Sequence, residues 1–319
     1  MTSKTALIVG VTGQSGSYLA HHLLSCGFNV VGSTRDIGAC NTSRLDRLCI
    51  TNDVELISLS PSDFRSVLNA VSSYKPTHIF NLAGITSVGL SFSLPFDCFE
   101  SIATATLNFL EVIRFLDVDI RYFSASSSEC FGDTGFQPAN EASNFNPLSP
   151  YAVAKCSSFW QVSSYRKAYN MFCCSGILSN HESPLRSPHF VTSKIVSSAI
   201  QISQGLSDSL RLGNLDIYRD WGWAPDYVKA MHLMLSADSP QDYVIASGST
   251  HSLYDFATAV FAEFGLSFSD YFIIDEAFMR PADLRLSYLD PSLIRNSLGW
   301  QAENSFDCIV SKLVSAKLF

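Results

Sequence analysis

The first half of the chain alternates short apolar runs with longer segments in which apolar residues recur every three or four positions. Continuous apolar runs are typical of strands buried on both faces, and the recurring pattern is typical of amphipathic helices. The predicted strands are 5–10, 28–34, 53–59, 77–83 and 120–126, with helices such as 15–27 and 103–116 between them. This alternation predicts βαβ units and an α/β fold with a doubly wound parallel sheet of the Rossmann type.

After residue 170 the pattern becomes irregular and the connecting segments lengthen, notably at 179–190 and 213–226. We therefore predict a Rossmann domain over residues 1–172 and a smaller C-terminal α/β lobe, mainly 173–319, that covers the carboxyl ends of the strands. A segment near 209–235 is expected to return to the first domain. Ligands of open α/β sheets bind at that carboxyl edge, so the lobe is predicted to bind the substrate.

The composition supports a large buried interior. Hydrophobic residues make up 47% of the 319 residues and charged residues only 16%, which is below the usual quarter. The formal net charge of −8 argues against a nucleic-acid or anionic-membrane partner. The apolar run at 5–10 precedes no small-residue cleavage site and is interpreted as the first strand, and no run is long enough to cross a membrane. We expect a cytoplasmic protein.

The nine cysteines are scattered and contain no C-x-x-C motif. Cys173 and Cys174 are adjacent, so in a strand their side chains would point to opposite faces. This usage indicates buried thiols in a reducing compartment. The seven histidines also lack ligand spacing, and no metal is expected.

The stretch GVTGQSG places Gly10, Gly13 and Gly16 directly after the first predicted strand, where a helix begins. Glycines at these positions permit a tight turn and a close approach of the backbone to a pyrophosphate at the helix N-terminus. At the end of the second strand stand Arg35 and Asp36. An arginine there suits the 2′-phosphate of NADP and a carboxylate suits the ribose of NAD, so these residues leave the choice open.

Two further motifs carry candidate chemistry. In SPYAVAK, Tyr151 and Lys155 are four residues apart on one helix face that Pro150 helps to start. A nearby ammonium favours the phenolate, so Tyr151 is predicted to be a base near neutral pH. In SSSECFG, Ser127 and Glu129 follow a buried strand; a solvated loop acid is the alternative interpretation of Glu129.

In this order, the glycine loop, the strand ending in serine and the Tyr-x-x-x-Lys pair resemble the extended, nucleotide-sugar branch of the short-chain dehydrogenase/reductase superfamily. The stretches GILSNHESPLR, LGNLDIYRDWGWAPDYVKAMHLML and RPAD extend the resemblance. Together the motifs resemble GDP-mannose 4,6-dehydratases over nearly the whole chain. The resemblance implies a lyase that converts GDP-mannose to GDP-4-keto-6-deoxy-mannose with tightly held NADP, in preference to NAD.

The resemblance also implies roles for the catalytic set. Tyr151 would take the proton of the sugar C4 hydroxyl while hydride passes to the nicotinamide, and Ser127 would hydrogen-bond the C4 oxygen. Glu129 would then remove the C5 proton and help to expel the C6 hydroxyl as water, before the hydride returns to C6. Lys155 would hold the nicotinamide ribose. Reductases of this branch need no acid at position 129, so Glu129 favours the dehydratase.

Further binding residues are carried over by position. The cofactor contacts implied are Gly10, Thr12, Gly13, Gln14, Gly16, Arg35, Leu82, Ala83, Gly84, Tyr151, Lys155, His181 and Arg186. The substrate contacts implied are Asn180, Val191, Lys194, Arg219, Arg280 and Asp283. The loop CNTSRLDRL (40–48) resembles the family's cofactor-contacting interface loop, which implies a homodimer or homotetramer.

Several positions depart from the family pattern, all around the cofactor or its neighbours. They are Ser15, Asp36, Leu59 and Ser60, Gly84 and Ile85, and Ser193. Two alternatives to the dehydratase therefore stay open. One is another dehydratase, reductase or epimerase acting on a related GDP-sugar. The other is a catalytically silent dinucleotide-binding regulator.

Overall fold

The computed structural model describes residues 4–279 and 281–318, and its main feature is a seven-stranded parallel sheet. The strands in chain order are β1 (Thr5–Val9), β2 (Asn29–Thr34), β3 (Val54–Ser58), β4 (His78–Asn81), β5 (Arg121–Ser127), β6 (Cys173–Leu178), β7 (Asn180–Glu182), β8 (Leu210–Leu212), β9 (Tyr218–Trp223), β10 (Tyr243–Ile245), β11 (Thr250–Ser252) and β12 (Phe272–Ile274). The large sheet has the order β10-β6-β5-β4-β1-β2-β3. The order reverses beside β1, which is the topology of a doubly wound sheet.

Helices cover both faces of this sheet, and further helices lie in a second core. In chain order they are α1 (Gln14–Ser25), α2 (Ser43–Arg47), α3 (Phe64–Tyr74), α4 (Val88–Ser93), α5 (Pro95–Phe99), α6 (Ala105–Leu116), α7 (Pro150–Tyr169), α8 (Val191–Ser203), α9 (Ala224–Ser236), α10 (Leu253–Ala262), α11 (Ser292–Leu298) and α12 (Phe306–Leu318). A π-helical turn, Glu100–Thr104, leads into α6. Of the described helices, none is both long and apolar enough to cross a membrane.

The α/β fold and the doubly wound parallel sheet are confirmed. Each of the five predicted strands of the first half is present, with ends that differ from the prediction by no more than two residues. The adjacent cysteines of β6 behave as expected from the strand period. Cys173 packs among the side chains on one face of the sheet and Cys174 among those on the other.

The large sheet extends beyond residue 172, where the sequence placed the end of the first domain. β6 pairs with β5, and β10 pairs with β6 at the edge of the sheet. Helix α9, which follows β9, returns to this sheet and packs against α1. The returning segment is therefore 224–245, whereas residues 210–223 belong to the second core.

The second core is formed by α8, α10 and α12 with short strands between them. Its fully buried residues include Phe256 and Phe261 of α10 and Ile195 of α8. A three-stranded sheet of order β11-β9-β7 borders this core. β7 follows β6 after a single residue, so the second core begins directly at the carboxyl edge of the large sheet. That edge, together with the N-termini of α1 and α7, holds the candidate site.

Candidate active site

The loop between β1 and α1 brings mainly backbone to the carboxyl edge of the sheet. Gly10 has a φ of +85°, in the region that favours glycine. A Cβ on Gly16 would lie 2.2 Å from the carbonyl oxygen of Gly10, so α1 starts close against the strand. Gly13 is the N-cap of α1, with no capping side chain and no acidic residue in the first turn. The amide groups of this helix terminus therefore face the site, as a pyrophosphate requires.

A cavity of about 390 Å³ lies beside the glycine loop. It is lined by Thr12, Thr34, Arg35, Asp36, Ala39, Cys40 and Asn41. Asp36 Oδ1 accepts a hydrogen bond from the Gly38 amide at 2.9 Å, so this carboxylate closes its own turn. Arg35 is the cationic side chain of the lining. The cavity has the position that the adenosine ribose of a dinucleotide occupies after the second strand of this fold.

The segment after β4 forms the opposite wall of the glycine loop. A Cβ on Gly10 would meet Ala83 Cα at 3.3 Å, which shows how closely the two backbones approach. Gly84 has a φ of +132°, and a Cβ there would lie 2.7 Å from Ile102 Cγ1. Leu82 and Ala83 are thus next to the first glycine, where the resemblance implied cofactor contacts.

The four candidate catalytic residues come together at the end of β5 and the start of α7. Ser127 ends β5, and its hydroxyl accepts a hydrogen bond from the Glu129 amide at 3.3 Å. Helix α7 starts with Pro150 behind the N-cap Ser149, whose hydroxyl accepts from the Ala152 amide. Tyr151 therefore stands in the first turn of the helix. Lys155 lies one turn further, with its Nζ 5.8 Å from the centre of the Tyr151 ring.

Burial controls the protonation of both α7 residues. It raises the pKa of Tyr151 above the ordinary phenol value, and a hydrogen bond with the Ser127 side chain acts in the opposite direction. Burial also lowers the pKa of Lys155 to about 8. Burial therefore outweighs the neighbouring ammonium, which we expected to favour the phenolate, and the net direction for the Tyr151 pKa is upward. The reason is that desolvation disfavours the charged form of each group, and Lys155 Nζ donates to the carbonyl of Ala125 at 2.5 Å.

An apolar wall explains why Tyr151 is so well buried. Its ring packs with Cys98, Ile102 and Ala154, and Ile85 packs against the same cluster. Ile85, one of the departures from the pattern that the resemblance implies, thus adds an apolar side chain to the surroundings of Tyr151.

Glu129 lies opposite a buried arginine of the second core. Arg219 of β9 is 4% exposed, and its Nε is 3.9 Å from Glu129 Oε1. Arg219 Nη2 donates to Asp283 Oδ1 at 3.3 Å. The cation therefore lies between two carboxylates, one from each side of the cleft. Arg280, which the resemblance also assigned to this region, lies outside the described residues.

His181 joins the start of α1 to β7. Its Nδ1 lies 2.9 Å from the Ser179 carbonyl, which can only accept, so this nitrogen carries the proton. Its Nε2 then accepts from the Ser15 hydroxyl at 2.8 Å. Gln14 Nε2 donates to the His181 carbonyl at 2.9 Å. Burial is the main cause that lowers the pKa of His181 to about 4, so the ring is neutral at physiological pH.

The other residues carried over from the resemblance lie along β7 and α8. Asn180 starts β7 opposite Trp221, and Val191 starts α8. Lys194 Nζ donates to the Arg211 carbonyl at 2.7 Å and stands over the Phe278 ring. The Arg186 guanidinium stacks on Phe190, and its Nε lies 3.4 Å from Glu182 Oε2.

A cation that no sequence motif singled out lies beside the glycine loop. Arg44 of α2 donates from Nη1 to the Thr12 carbonyl at 3.0 Å and from Nε to the Leu185 carbonyl at 2.8 Å. It thus fixes the loop 40–48 against the glycine loop of the same chain. Arg44 and Arg47 are three residues apart and share a helix face, which is the signal that the sequence offered.

Comparison with known proteins gives one consistent family. The family model described as GDP-mannose 4,6 dehydratase matches residues 7–313. GDP-mannose 4,6 dehydratase 2 of Arabidopsis thaliana is 39% identical over 99% of this chain and 87% of its own length. GDP-mannose 4,6-dehydratase of Vibrio cholerae serotype O1 is 36% identical over 100% of this chain and 94% of its own.

Among solved structures, dTDP-glucose 4,6-dehydratase from Bacillus anthracis, crystallised in complex with NAD, has a similar fold. Its TM-score is 0.86 over 99% of this chain and 97% of that one, at 18% sequence identity. At this identity the likeness shows the fold.

Proposed function

This chain belongs to the GDP-mannose 4,6-dehydratase family, and on that premise we propose how its own residues carry out the reaction. The enzyme is a hydro-lyase that removes water from GDP-D-mannose to give GDP-4-keto-6-deoxy-D-mannose. The observation that carries the proposal is the meeting of Ser127, Glu129, Tyr151 and Lys155 at the end of β5 and the start of α7. Arg219 and Asp283 face this set from the second core.

Tyr151 takes the proton of the sugar C4 hydroxyl. Ser127 and Tyr151 interact at this corner, so that one sugar oxygen can contact both hydroxyls. The keto product carries no proton on that oxygen, so Tyr151 gives the proton to C5 after C6 has been reduced and ends the turnover as it began. Lys155, held by the Ala125 carbonyl, is the charge nearest to the phenol on its helix face.

Glu129 acts on the neighbouring carbons. Once C4 is a ketone, the C5 hydrogen is acidic, and the carboxylate removes it as a proton. The same proton then leaves with the C6 hydroxyl as water, so Glu129 ends the elimination ionised as it began. The Arg219 guanidinium, with its Nε 3.9 Å from Glu129 Oε1, holds the carboxylate in position between these steps.

The chain fits a nicotinamide dinucleotide. The glycine loop leaves no room for side chains beside the first turn of α1, and the cavity at Arg35 continues the same groove. When bound, this cofactor supplies a reversible two-electron acceptor, so that oxidation at C4 and reduction at C6 balance within one turnover. Gly10, Gly13, Gly16 and Ala83 would hold it by backbone contacts, and Thr12, Gln14, Leu82, Gly84, His181 and Arg186 would complete the site.

We assign NADP as the preferred dinucleotide. The Asp36 carboxylate accepts from the Gly38 amide and so closes its own turn, whereas Arg35 lines the cavity. A guanidinium suits a 2′-phosphate through its forked donors. The GDP-sugar would contact Asn180, Val191, Lys194, Arg219, Arg280 and Asp283.

The active form would be a homodimer or homotetramer in the cytoplasm. Phe96, Val153 and Trp160, on α5 and α7, are exposed to 86%, 48% and 59%, and apolar surface of this kind is typical of an interface. The nine cysteines are free thiols, as a reducing compartment requires.

The test is a mass-spectrometric assay of GDP-mannose with the purified protein in deuterated water, with NADP⁺ or NAD⁺ in separate reactions. We expect loss of one water, one solvent deuterium at C5 and no net reduction of the cofactor. An unchanged GDP-mannose peak with both cofactors would overturn the assignment. Net formation of reduced cofactor would indicate a simple oxidoreductase instead.

A further inference from the structure

Three nitrogen and sulfur ligands meet at the far end of α1, away from the glycine loop. His22 and Cys26 are four residues apart, at the last turn and the C-cap of the helix, and so share one face. His232 approaches from α9, which packs along α1. At about 1.5 Å rise per residue, Cys26 lies about 20 Å along the helix from Gly13. The cluster is therefore separate from the active site.

The three donor atoms stand at the distances that a tetrahedral ion requires. His22 Nε2 and His232 Nδ1 are 3.0 Å apart. Cys26 Sγ is 3.8 Å from the first nitrogen and 3.9 Å from the second. In a tetrahedral zinc site, the usual zinc–nitrogen and zinc–sulfur bond lengths place two nitrogen ligands about 3.3 Å apart. They place a nitrogen ligand and a sulfur ligand about 3.6 Å apart. Each observed distance is within about 0.4 Å of these values.

Neighbouring residues pack around the cluster. The Phe28 ring packs edge-on against His232, with 5.4 Å between ring centres, and forms one wall of the cluster. The backbone carbonyl of His22 accepts from Ser25 Oγ at 2.7 Å. Lys229, on the same face of α9, is paired with Glu303 at 2.7 Å, so its charge is balanced nearby. Cys26 is exposed, which leaves a fourth position open to water.

We propose that His22, Cys26 and His232 bind one divalent ion of the zinc type and thereby fasten the C-terminal end of α1 to α9. Two imidazoles with one thiolate are ligands of borderline softness, which selects Zn²⁺ and its close analogue Co²⁺ over Mg²⁺ or Ca²⁺. Binding converts the Cys26 thiol to the thiolate and releases its proton to solvent. The ion replaces the direct His22–His232 hydrogen bond by two metal–nitrogen bonds.

The alternative is a hydrogen-bonded histidine pair with a neighbouring thiol that takes no part. A spectroscopic titration separates the two, because a cobalt–thiolate bond has its own near-ultraviolet charge-transfer band and a tetrahedral site has intense visible bands. The experiment uses the full-length protein, reduced and freed of metal with a chelator that is then removed, and CoCl₂ as the probe. ZnCl₂ is added last as the competitor.

We expect one Co²⁺ per chain, both sets of bands, and their disappearance when Zn²⁺ displaces the cobalt. Cys26→Ser should abolish the charge-transfer band, and His232→Asn should weaken cobalt affinity at least about tenfold, since even outer-shell changes cost 10–100-fold. Cys49→Ser and His21→Asn are the matched controls, because Cys49 is an exposed cysteine and His21 an exposed residue of α1 outside the cluster. Both should titrate like the unsubstituted protein.

Folding is checked by comparing the melting temperatures in chelator. All variants should melt within a few degrees of the parent there, and only the parent and the two controls should gain stability when Zn²⁺ is added. Cobalt binding without a thiolate band would overturn the proposal. So would an equal affinity in His232→Asn, or no binding by the folded, reduced parent.

Discussion

The candidate active site has two parts that are built in different ways. The catalytic corner, formed by Ser127, Glu129, Tyr151 and Lys155, lies within one strand, one loop and one helix that follow each other in the chain. We call the contact of Ser15 and Gln14 on α1 with His181 on β7 the cofactor seam. It joins residues that are separated along the chain by 166 positions (Ser15 and His181) and 167 positions (Gln14 and His181). The resemblance to the family assigns a role to each of the four residues of the catalytic corner, whereas it marks Ser15 of the seam as a departure.

The contrast has a physical cause. A side chain that transfers a proton must contact one particular atom of the substrate. Replacing it with another residue type therefore removes the proton transfer. A hydrogen bond in the seam is made between two groups of the protein, and either can change if the other still finds a partner. Ser15 shows this, because its hydroxyl donates to His181 Nε2.

The largest effect is expected for Glu129→Gln in the catalytic corner. The amide keeps the shape and the contact region beside Arg219 but takes no proton, so kcat should fall about 10²–10⁴-fold. Solvent deuterium at C5 should disappear with it. The measurement is turnover of GDP-mannose by mass spectrometry in deuterated water.

Asp283→Asn is the matched control, because it changes the second carboxylate beside Arg219. We expect this control to raise KM for GDP-mannose with a smaller effect on kcat. An equal loss of kcat in both variants would mean that Glu129 acts through Arg219 alone, and the assignment of Glu129 as the base would then fail.

The fold follows from short-range patterns in the sequence, whereas the catalytic corner was proposed from short motifs together with the resemblance to the family. Strands β1 to β5 follow from continuous apolar runs, and Tyr151 and Lys155 follow from helical spacing behind Pro150. The direction of the Tyr151 pKa did not follow, since it depends on burial by side chains such as Ile102 from another helical segment.

Contacts between distant segments were invisible for the same reason. The partner of Ser15 is set by the packing of β7 against α1, and the partner of Cys26 is 206 positions away on α9. The spacing of histidines and cysteines along the chain therefore gave no sign of the cluster at the end of α1, and the expectation of no metal was based on that spacing alone.

The seam should also give the protein a specific sensitivity to acid. His181 has a pKa of about 4 in the fold and 6.5 as its ordinary value. The unfolded chain therefore binds a proton that the folded chain does not, and stability is full above about pH 6.5 and falls as the pH drops towards 4. The shift corresponds to a loss of up to about 3 kcal/mol.

His181→Phe keeps the ring that packs against Tyr227 and removes the titration. Its free energy of unfolding, from urea titrations across this pH range, should decline less steeply than that of the parent. The exposed His189, changed to Gln, is the control and should leave the slope unchanged. A parent slope retained in His181→Phe would place the acid sensitivity elsewhere.

A smaller effect is expected at the cavity beside the glycine loop. Arg35→Ala should weaken NADP⁺ binding about 10–100-fold, the value of a charge-assisted contact of about 1.5–3 kcal/mol, and should change NAD⁺ binding little. Asp36→Asn keeps the acceptor for the Gly38 amide and should leave both affinities close to those of the parent. Calorimetric titration with each dinucleotide measures this, and a loss of NAD⁺ affinity in Asp36→Asn would favour NAD as the cofactor.

The smallest effect is expected for Ser15→Ala, which removes one neutral hydrogen bond of the seam. It should lower the free energy of unfolding at neutral pH by about 0.5–1.5 kcal/mol and leave kcat within about twofold, because no proton of the reaction passes through Ser15. A double-mutant cycle with His181→Phe isolates the pair, since each single variant removes the same bond. A coupling energy near zero would show that the hydroxyl stabilises α1 by another contact. A measurable coupling energy together with an unchanged kcat would show that residues of the seam can be replaced without loss of catalysis at the catalytic corner.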